Sequence, residues 1–259
     1  MAGSGSIPEA PMADRFTVQV ATDYETLSAL AADAVTATVE ANPDAVLTLP
    51  TGETPHGMYD ELVRRIEDGR LDFSGVQFFC LDEYLGTAID DEASLTGWLR
   101  ETFFEPAKVL EANTHFIPST ASDPHEAAKR YDQEIRDLGG FELAVVGIGR
   151  NGHVAFNEPG SAPDSRTRVI ELTPASREQN AAYYEGRQVI PARAMTVGLG
   201  TILEARRIVL IASGESKAEI LRQALEGPIT SVVPASHLRT AGARLRVIAD
   251  TAAVSRLAG

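Results

Sequence analysis

Residues 143–160, LAVVGIGRNGHVAFNEPG, join a short apolar run to a glycine-rich loop. The apolar part, Leu143–Val146, has the composition and the flanking glycine of a buried β-strand in a parallel sheet. In open α/β sheets the chemistry lies in loops that leave the carboxyl ends of the strands. We therefore expect residues 147–160 to contribute to a functional site at one edge of such a sheet.

This loop also brings ionisable side chains close together. His153 and Glu158 are five residues apart, Asn151 precedes the histidine, and glycines at 147, 149 and 152 permit tight turns. A nearby carboxylate can orient an imidazole and raise its basicity, which a proton-transfer site requires. A loop histidine with a purely local hydrogen bond would give the same pattern, so the residues alone leave both interpretations open.

A second stretch, LPTGETP at residues 49–55, predicts a strand end, a Gly/Thr loop and a helix that continues to about residue 66. Free amides and the helix dipole make such a helix start a potential anion site. An ordinary βα turn is the alternative, and the GK[ST] ending of a Walker loop is absent. Glu53 would repel a phosphate unless its side chain turns outward. The candidate anion ligands are Thr51, Gly52 and Thr54.

Two further candidates follow predicted strands. Asp82 and Glu83 come directly after Val76–Leu81. Such a pair often caps a helix or faces water. In a cleft, however, one carboxylate can move a proton while its neighbour adjusts the pKa of the first. Lys217 follows the strand Ile208–Ser213 and lies in the first turn of a helix, where its charge opposes the helix dipole. That position suits a lysine that faces an anion.

Four stretches in this order resemble the glucosamine-6-phosphate deaminases, also called isomerases, which share a fold with the 6-phosphogluconolactonases. They are LPTGETP (49–55), LDEYLG (81–86), NGHVAFNEP (151–159) and SRTRVIELT (165–173). The similarity spans roughly residues 18–249. It implies conversion of glucosamine 6-phosphate to fructose 6-phosphate and ammonia, without a metal or an organic cofactor.

The resemblance also implies roles for the candidate residues. His153, oriented by Glu158 and helped by Asn151, would open the sugar ring, and Asp82, supported by Glu83, would carry a proton between C2 and C1. The loop at residues 51–54 and the Lys217 side chain would hold the phosphate, and the segment at about residues 165–190 would be a mobile lid. The residues expected to contact the substrate are Thr51, Gly52, Thr54, Glu83, Gly149, Gly152 and Lys217.

Some positions depart from the family pattern. Glu53 stands where a small uncharged residue is expected, and Ala182, in the run NAAYY, stands where the deaminases carry an arginine that reaches the phosphate. Arg177 or Arg187 would have to compensate. The alternatives are therefore a related activity on another amino-sugar or sugar phosphate, including lactone hydrolysis, and a sugar-phosphate sensor that binds without turnover.

Composition narrows the class of protein. The chain has 259 residues, 44% hydrophobic and 23% charged, with a net charge of −14, as expected for a globular domain that binds neither nucleic acid nor anionic membranes. No apolar run approaches the length of a membrane span, and no secretory signal begins the chain. The five histidines lack metal-ligand spacing, and the single cysteine, Cys80, fits a reducing cytoplasm.

These observations predict an α/β fold: one Rossmann-like, three-layer domain with a mostly parallel sheet and a mobile lid. Residues 1–15 are expected to form a disordered tail, and residues 16–259 to form the catalytic domain. GIGRNG matches GxGxxG, but no long helix and no acidic residue follow it as a dinucleotide site requires. We expect the last strand, Leu245–Ala249, at a sheet edge, and a homo-oligomer is compatible with the sequence.

Overall fold

The computed structural model describes residues 15–183 and 190–258. The strands are β1 (Thr17–Ala21), β2 (Val46–Leu49), β3 (Gln77–Cys80), β4 (Asp82–Tyr84), β5 (Thr114–His115), β6 (Leu143–Gly147), β7 (Arg168–Glu171), β8 (Arg193–Thr196), β9 (Arg207–Ala212) and β10 (Leu245–Asp250). The α-helices are α1 (Tyr24–Ala41), α2 (His56–Glu67), α3 (Leu95–Leu99), α4 (Pro124–Asp137), α5 (Pro174–Tyr183), α6 (Leu199–Leu203) and α7 (Ala218–Glu226). A π-helical turn, Arg100–Phe104, continues α3, and 3-10 segments cover Glu111–Asn113, Glu215–Lys217 and Pro234–Arg244.

Seven strands form a parallel central sheet in the order β1-β10-β9-β6-β2-β3-β5. Its inner strands are apolar and almost fully buried, because helices cover both faces of the sheet. From β2 the chain proceeds outward through β3 to β5, and from β6 it proceeds the other way through β9 to β10. The loops after β2 and β6 therefore diverge and leave a crevice, the usual ligand site of such sheets. The predicted three-layer α/β fold is confirmed.

Local sequence signals account for the main helices. Asp23 caps α1 by accepting a hydrogen bond from the amide of Thr26 at 2.8 Å. Asp123 caps α4 in the same way, and Pro124 occupies its first turn. Both helix starts were predicted at these residues.

Two features of the sheets differ from the expectation. The last strand, expected at an edge, lies between β1 and β9, because the edge is formed by β1, whose Val18 and Val20 side chains are exposed. In addition, β4, β8 and β7 form a separate antiparallel sheet that the sequence did not indicate. In this small sheet β8 is the central strand, and α6 follows it in the chain.

The segment expected to be a lid contains β7 and α5. Its beginning is anchored by Asp132 of α4, a buried carboxylate that accepts hydrogen bonds from Thr167, through both its amide and its hydroxyl, and from the Thr201 hydroxyl at 2.6 Å. Arg166 also donates to Asp132, at 3.1 Å. Residues 165–168 are therefore fixed to the domain, and motion of the rest of the segment stays a prediction. The expected disordered tail falls almost entirely outside the described residues.

We expect Asp132→Ala to lower the free energy of unfolding by about 3 kcal/mol, because the substitution leaves several buried donors without an acceptor. Urea unfolding measures this change. Asp137→Ala, at an exposed acid of the same helix, is the control and should change stability by no more than about 0.5 kcal/mol. Equal effects of the two substitutions would contradict the anchoring role of Asp132.

Candidate active site

Four loops leave the carboxyl ends of adjacent strands and carry the candidate residues. The loop after β9 leads to Lys217, the loop after β6 contains His153, the loop after β2 contains Thr51, and Asp82 follows β3. Since β9, β6, β2 and β3 are consecutive neighbours in the sheet, these residues lie along one edge. The sequence placed them in loops, and the strand order brings those loops together.

Residues 194–197, which include most of β8, join the Asp82 loop to the His153 loop. On one side, Val197 donates its amide to the Leu81 carbonyl at 2.7 Å, and Asp82 pairs with Thr196 in the antiparallel register. On the other side, the Thr196 hydroxyl accepts a hydrogen bond from the amide of Phe156 at 3.1 Å. The rings of Tyr84 and Phe156 also pack together, with centroids 5.5 Å apart.

The carboxylate of Glu158 is the centre of the hydrogen-bond network beside the histidine. Its Oε2 accepts from the Asn151 side-chain amide at 2.7 Å, and its Oε1 accepts from the Ser176 hydroxyl of α5. Oε1 is also 3.9 Å from Nδ1 of His153, too far for a hydrogen bond. Asn151 therefore orients Glu158, and also accepts from the His153 backbone amide, but does not contact the imidazole through a hydrogen bond.

His153 is enclosed by this network. Burial lowers the pKa of its imidazole; Glu158 acts in the opposite direction, and the charge of Lys217 lowers the pKa further. Nδ1 is buried and has no hydrogen-bond partner among the described residues. A neutral imidazole with a free nitrogen is available to accept a proton near neutral pH.

Gly149 and Gly152, expected to contact substrate, have clear packing roles. A Cβ atom on Gly149 would lie 2.2 Å from Nε2 of the His153 ring, so only glycine lets the imidazole lie flat against the loop. Gly152 adopts a φ of +87°, and a Cβ there would lie 2.8 Å from the Val233 side chain. Both glycines shape the loop that holds the histidine, and substrate contact by them stays a prediction.

Asp82 has the properties of a proton carrier. It is buried, and among the residues that the structure describes no group donates a hydrogen bond to its side chain. Burial, together with the negative charge of Glu83, raises the pKa of the Asp82 carboxyl to about 7. A carboxyl with this pKa can both take and return a proton near neutral pH.

Glu83 has a different environment from its neighbour. Its carboxylate accepts four hydrogen bonds, two of them from the first residues of α3 and one from the N-cap of that helix, and Glu83 is only 1% exposed. The donors are the amides of Tyr84, Leu95 and Thr96 and the hydroxyl of Ser94. Glu83 therefore fixes the Asp82 segment to the start of a helix and supplies a nearby charge, whereas both of its oxygens are already used. Its expected contact with substrate is not favoured by this geometry.

The candidate anion pocket lies beside these groups. Nζ of Lys217 donates to the Ile148 carbonyl at 2.7 Å, which places the ammonium at the base of the histidine loop. Burial lowers the pKa of Lys217, the charge of Arg150 lowers it further, and Glu53 acts in the opposite direction. Lys217 thus lies within electrostatic range of the loop after β2, of the loop after β6 and of His153 itself.

The loop after β2 is held by Tyr24. Its hydroxyl donates to the Glu53 carbonyl at 2.9 Å and accepts from the Gly57 amide at 2.9 Å. Gly52 has a φ of +104°, which an L side chain rarely adopts. The Glu53 side chain is exposed and lines a cavity of about 480 Å³ together with Thr54. Glu53 is therefore open to solvent, while its charge still acts on Lys217.

Several functional contacts were missed by sequence reasoning. Ser94, Ser176 and Thr196 each bind a residue of the site from another part of the chain. Arg177 and Arg187 were the residues expected to replace the phosphate-binding arginine that is absent at position 182. Arg177 donates to the Ile190 carbonyl at 3.2 Å. Arg187 and the side chain of Ala182 lie outside the described residues.

Metal binding and membrane insertion can be judged for residues 15–183 and 190–258, which the structure describes. There, no group of histidine, cysteine, aspartate and glutamate side chains is arranged to hold a metal ion, and no helix is long and apolar enough to span a membrane. Cys80 is buried, and burial raises the pKa of its thiol, so it is unsuited to act as a nucleophile.

The geometry defines a class of protein: an α/β domain with a buried carboxyl group, Asp82, and a half-buried imidazole, His153, in loops at the same edge of the sheet as Lys217. Comparison with known proteins identifies the family. Residues 21–247 match the model of the glucosamine-6-phosphate isomerases/6-phosphogluconolactonase family. The chain belongs to this family.

Members of the family differ in how similar their sequences and structures are to this chain. A glucosamine-6-phosphate deaminase of Rhodopirellula baltica is 40% identical over 222 residues, which cover 86% of this chain and 88% of the relative. The solved structure of a monomeric glucosamine-6-phosphate deaminase superposes with a TM-score of 0.89 at 37% identity, over 93% of this chain and all of the other. The 6-phosphogluconolactonase of Trypanosoma cruzi has a TM-score of 0.75 at 20% identity, over 95% and 98% of the two chains, and shares the fold.

We expect Asp82→Asn to stabilise the protein in a pH-dependent way. The folded-state pKa of about 7 exceeds the unfolded value of about 4, so the wild type loses stability as pH rises from about 4 to 7. The asparagine variant has no such loss, and at pH 8 it should be more stable by about 2–4 kcal/mol. Urea unfolding at several pH values measures the difference, which should disappear near pH 4. A difference independent of pH would show that the Asp82 pKa is not raised.

Proposed function

We propose that the protein converts glucosamine 6-phosphate to fructose 6-phosphate and ammonia. The observation that carries the proposal is the pair of buried groups with opposite pKa shifts, raised for Asp82 and lowered for His153, held together through β8. The shifts leave a carboxyl that titrates near neutral pH beside an imidazole that is neutral there, as proton transfer in both directions requires. The deaminases among the relatives support the same reaction.

In the first step, His153 opens the sugar ring. The neutral imidazole takes the proton of the C1 hydroxyl and delivers a proton to the ring oxygen, so that the C1–O5 bond breaks and an open-chain aldehyde forms. Glu158, held by Asn151 and Ser176, lies on the Nδ1 side of the ring and stabilises the imidazolium that forms transiently.

In the second step, Asp82 moves a proton along the carbon chain. Its carboxylate removes the proton from C2 while the ammonium group of the sugar gives up a proton to O1, which yields a neutral enolamine, and the protonated carboxyl then returns its proton to C1. The C2 imine that results adds water and releases ammonia, which leaves the ketone of fructose 6-phosphate. A carboxyl with a pKa of about 7 serves in both directions, since neither of its forms is strongly disfavoured at neutral pH.

The segment at residues 165–190 is proposed to close over the bound sugar. Ser176 supports this role, because it is a residue of α5 and donates directly to Glu158. Movement of α5 would change the position of the Glu158 carboxylate relative to the His153 ring. A cytoplasmic location and assembly into a homo-oligomer stay predictions of the sequence.

One observation favours a second candidate, a related reaction on a different amino-sugar that does not depend on a phosphate group. Glu53 is exposed at the mouth of the loop after β2 and raises the pKa of Lys217, so its charge reduces the attraction of this pocket for a dianion. Lactone hydrolysis has less support, because the likeness to the lactonase structures rests on the fold.

The proposal predicts that the wild type releases ammonia and fructose 6-phosphate in equal amounts from glucosamine 6-phosphate. We expect Asp82→Asn to lower kcat by about 1,000-fold and His153→Gln by about 100-fold, as is typical for loss of a general acid or base. A coupled assay of both products measures the rates.

Asp137→Asn, which neutralises an exposed carboxylate on α4, is the control and should retain full activity. Absence of ammonia from the wild type would favour the second candidate substrate. Full activity of Asp82→Asn would remove Asp82 as the base.

A further inference from the structure

Arg150 stands out among the charged residues around the site. It follows Gly149, which packs against the His153 ring, and Ile148, whose carbonyl binds the Lys217 ammonium. Its side chain is exposed. In the part of the chain that the structure describes, no hydrogen bond or ion pair involves the Arg150 guanidinium.

The other arginines near the site are already engaged. Arg168 donates to the Asn157 side chain at 2.9 Å and to the Ser161 hydroxyl at 3.1 Å. Arg166 is bound to Asp132 and to Glu204. Arg150 is therefore the arginine of the β6 loop whose donors remain available to a ligand.

The site contains several carboxyl groups, which favours a second cation beside Lys217 where a phosphate is to bind. Asp82, Glu83 and Glu158 are buried at or near the reacting groups, and Glu53 lies at the mouth of the loop after β2. After β9, Lys217 donates its ammonium to the Ile148 carbonyl and interacts electrostatically with Glu53. A phosphate monoester carries almost two negative charges at neutral pH, and an arginine can bind it through two parallel hydrogen bonds.

Arg150 is also placed to act together with Lys217. It lines a cavity of about 380 Å³ with Asn151, with Ser216, the residue that precedes Lys217, and with Glu219, whose carboxylate is bound by Arg222 and Arg256. The charge of Arg150 lowers the pKa of Lys217, because the two cations repel each other. A dianion bound between them relieves this repulsion.

We infer that Arg150 is a phosphate-binding, specificity-determining residue that holds the phosphate group of the substrate jointly with Lys217. The inference rests on the proposed function in that the anion is the phosphate of a sugar substrate. It adds a residue of the histidine loop to the anion pocket, so that the same loop carries the ring-opening group and one of the phosphate ligands.

The test compares Arg150→Ala, Arg150→Lys and Arg130→Ala with the wild type. Arg130 is an exposed arginine of α4 that has no hydrogen bond or ion pair within the described ranges, so its substitution removes the same charge at another place. Isothermal titration calorimetry measures the Kd of inorganic phosphate and of fructose 6-phosphate. Steady-state assays of ammonia release measure KM and kcat.

We expect Arg150→Ala to raise both Kd values and the KM by about tenfold or more, with kcat within about threefold of the wild type. Arg150→Lys should recover part of the affinity, because it keeps the charge without the bidentate geometry. Arg130→Ala should stay within about twofold of the wild type.

Two results would overturn the inference. One is phosphate binding by Arg150→Ala that equals that of Arg130→Ala, and the other is a fall in kcat with KM and Kd unchanged. The proposed function fails separately, if the wild type releases no ammonia from glucosamine 6-phosphate. In that case the phosphate titrations still decide the role of Arg150, because they do not depend on turnover.

Discussion

The hydrogen bonds made by residues 194–197 join the segment that carries Asp82 to the loop that carries His153. These residues bind the segment that carries Asp82 on one side, through the 2.7 Å bond from the Val197 amide to the Leu81 carbonyl. On the other side, the Thr196 hydroxyl and the Val197 carbonyl bind the loop that carries His153, at 3.1 Å and 2.9 Å. The parallel sheet brings the loops to the same edge, and this short antiparallel strand fixes the distance between them, on which proton transfer depends.

The fold holds carboxyl groups of the site close together although their charges repel each other. Asp82 and Glu83 are adjacent buried carboxyl groups, an arrangement that favours protonation of one of them. Glu83 accepts four hydrogen bonds, whereas the Asp82 side chain accepts none from the described residues, and burial together with the charge of Glu83 raises the pKa of Asp82 to about 7. Glu158 is fixed in a comparable way by Asn151 and Ser176. Ionisation of the buried Asp82 carboxyl group therefore lowers the free energy of unfolding, and the same burial gives this carboxyl a pKa near neutral pH.

Much of the fold follows from local patterns in the sequence. The apolar runs at β2, β6 and β9 predict the inner strands, and the capping residues Asp23 and Asp123 predict two helix starts. Because the carboxyl ends of parallel strands share one edge, the candidate residues in the loops after these strands were also found. The antiparallel sheet was missed, since β4 has three residues and its partner strands come more than eighty residues later in the chain.

The details of the site depend on contacts between distant residues. A single sequence does not reveal that Ser176 binds Glu158, or that Glu83 accepts its hydrogen bonds from the start of α3. It also suggested that Asn151 acts on the histidine directly, whereas the Asn151 amide binds Glu158. In each case the residue type was informative and the partner was set by tertiary packing.

The most direct test of the central claim, that Asp82 and His153 act on one sugar, is a crystal structure of the protein with fructose 6-phosphate bound. We expect an Asp82 carboxyl oxygen within about 3.5 Å of C1 or C2 and a ring nitrogen of His153 within hydrogen-bond distance of O5. A sugar that contacts only one of these two side chains, with the other facing a separate cavity, would contradict the claim.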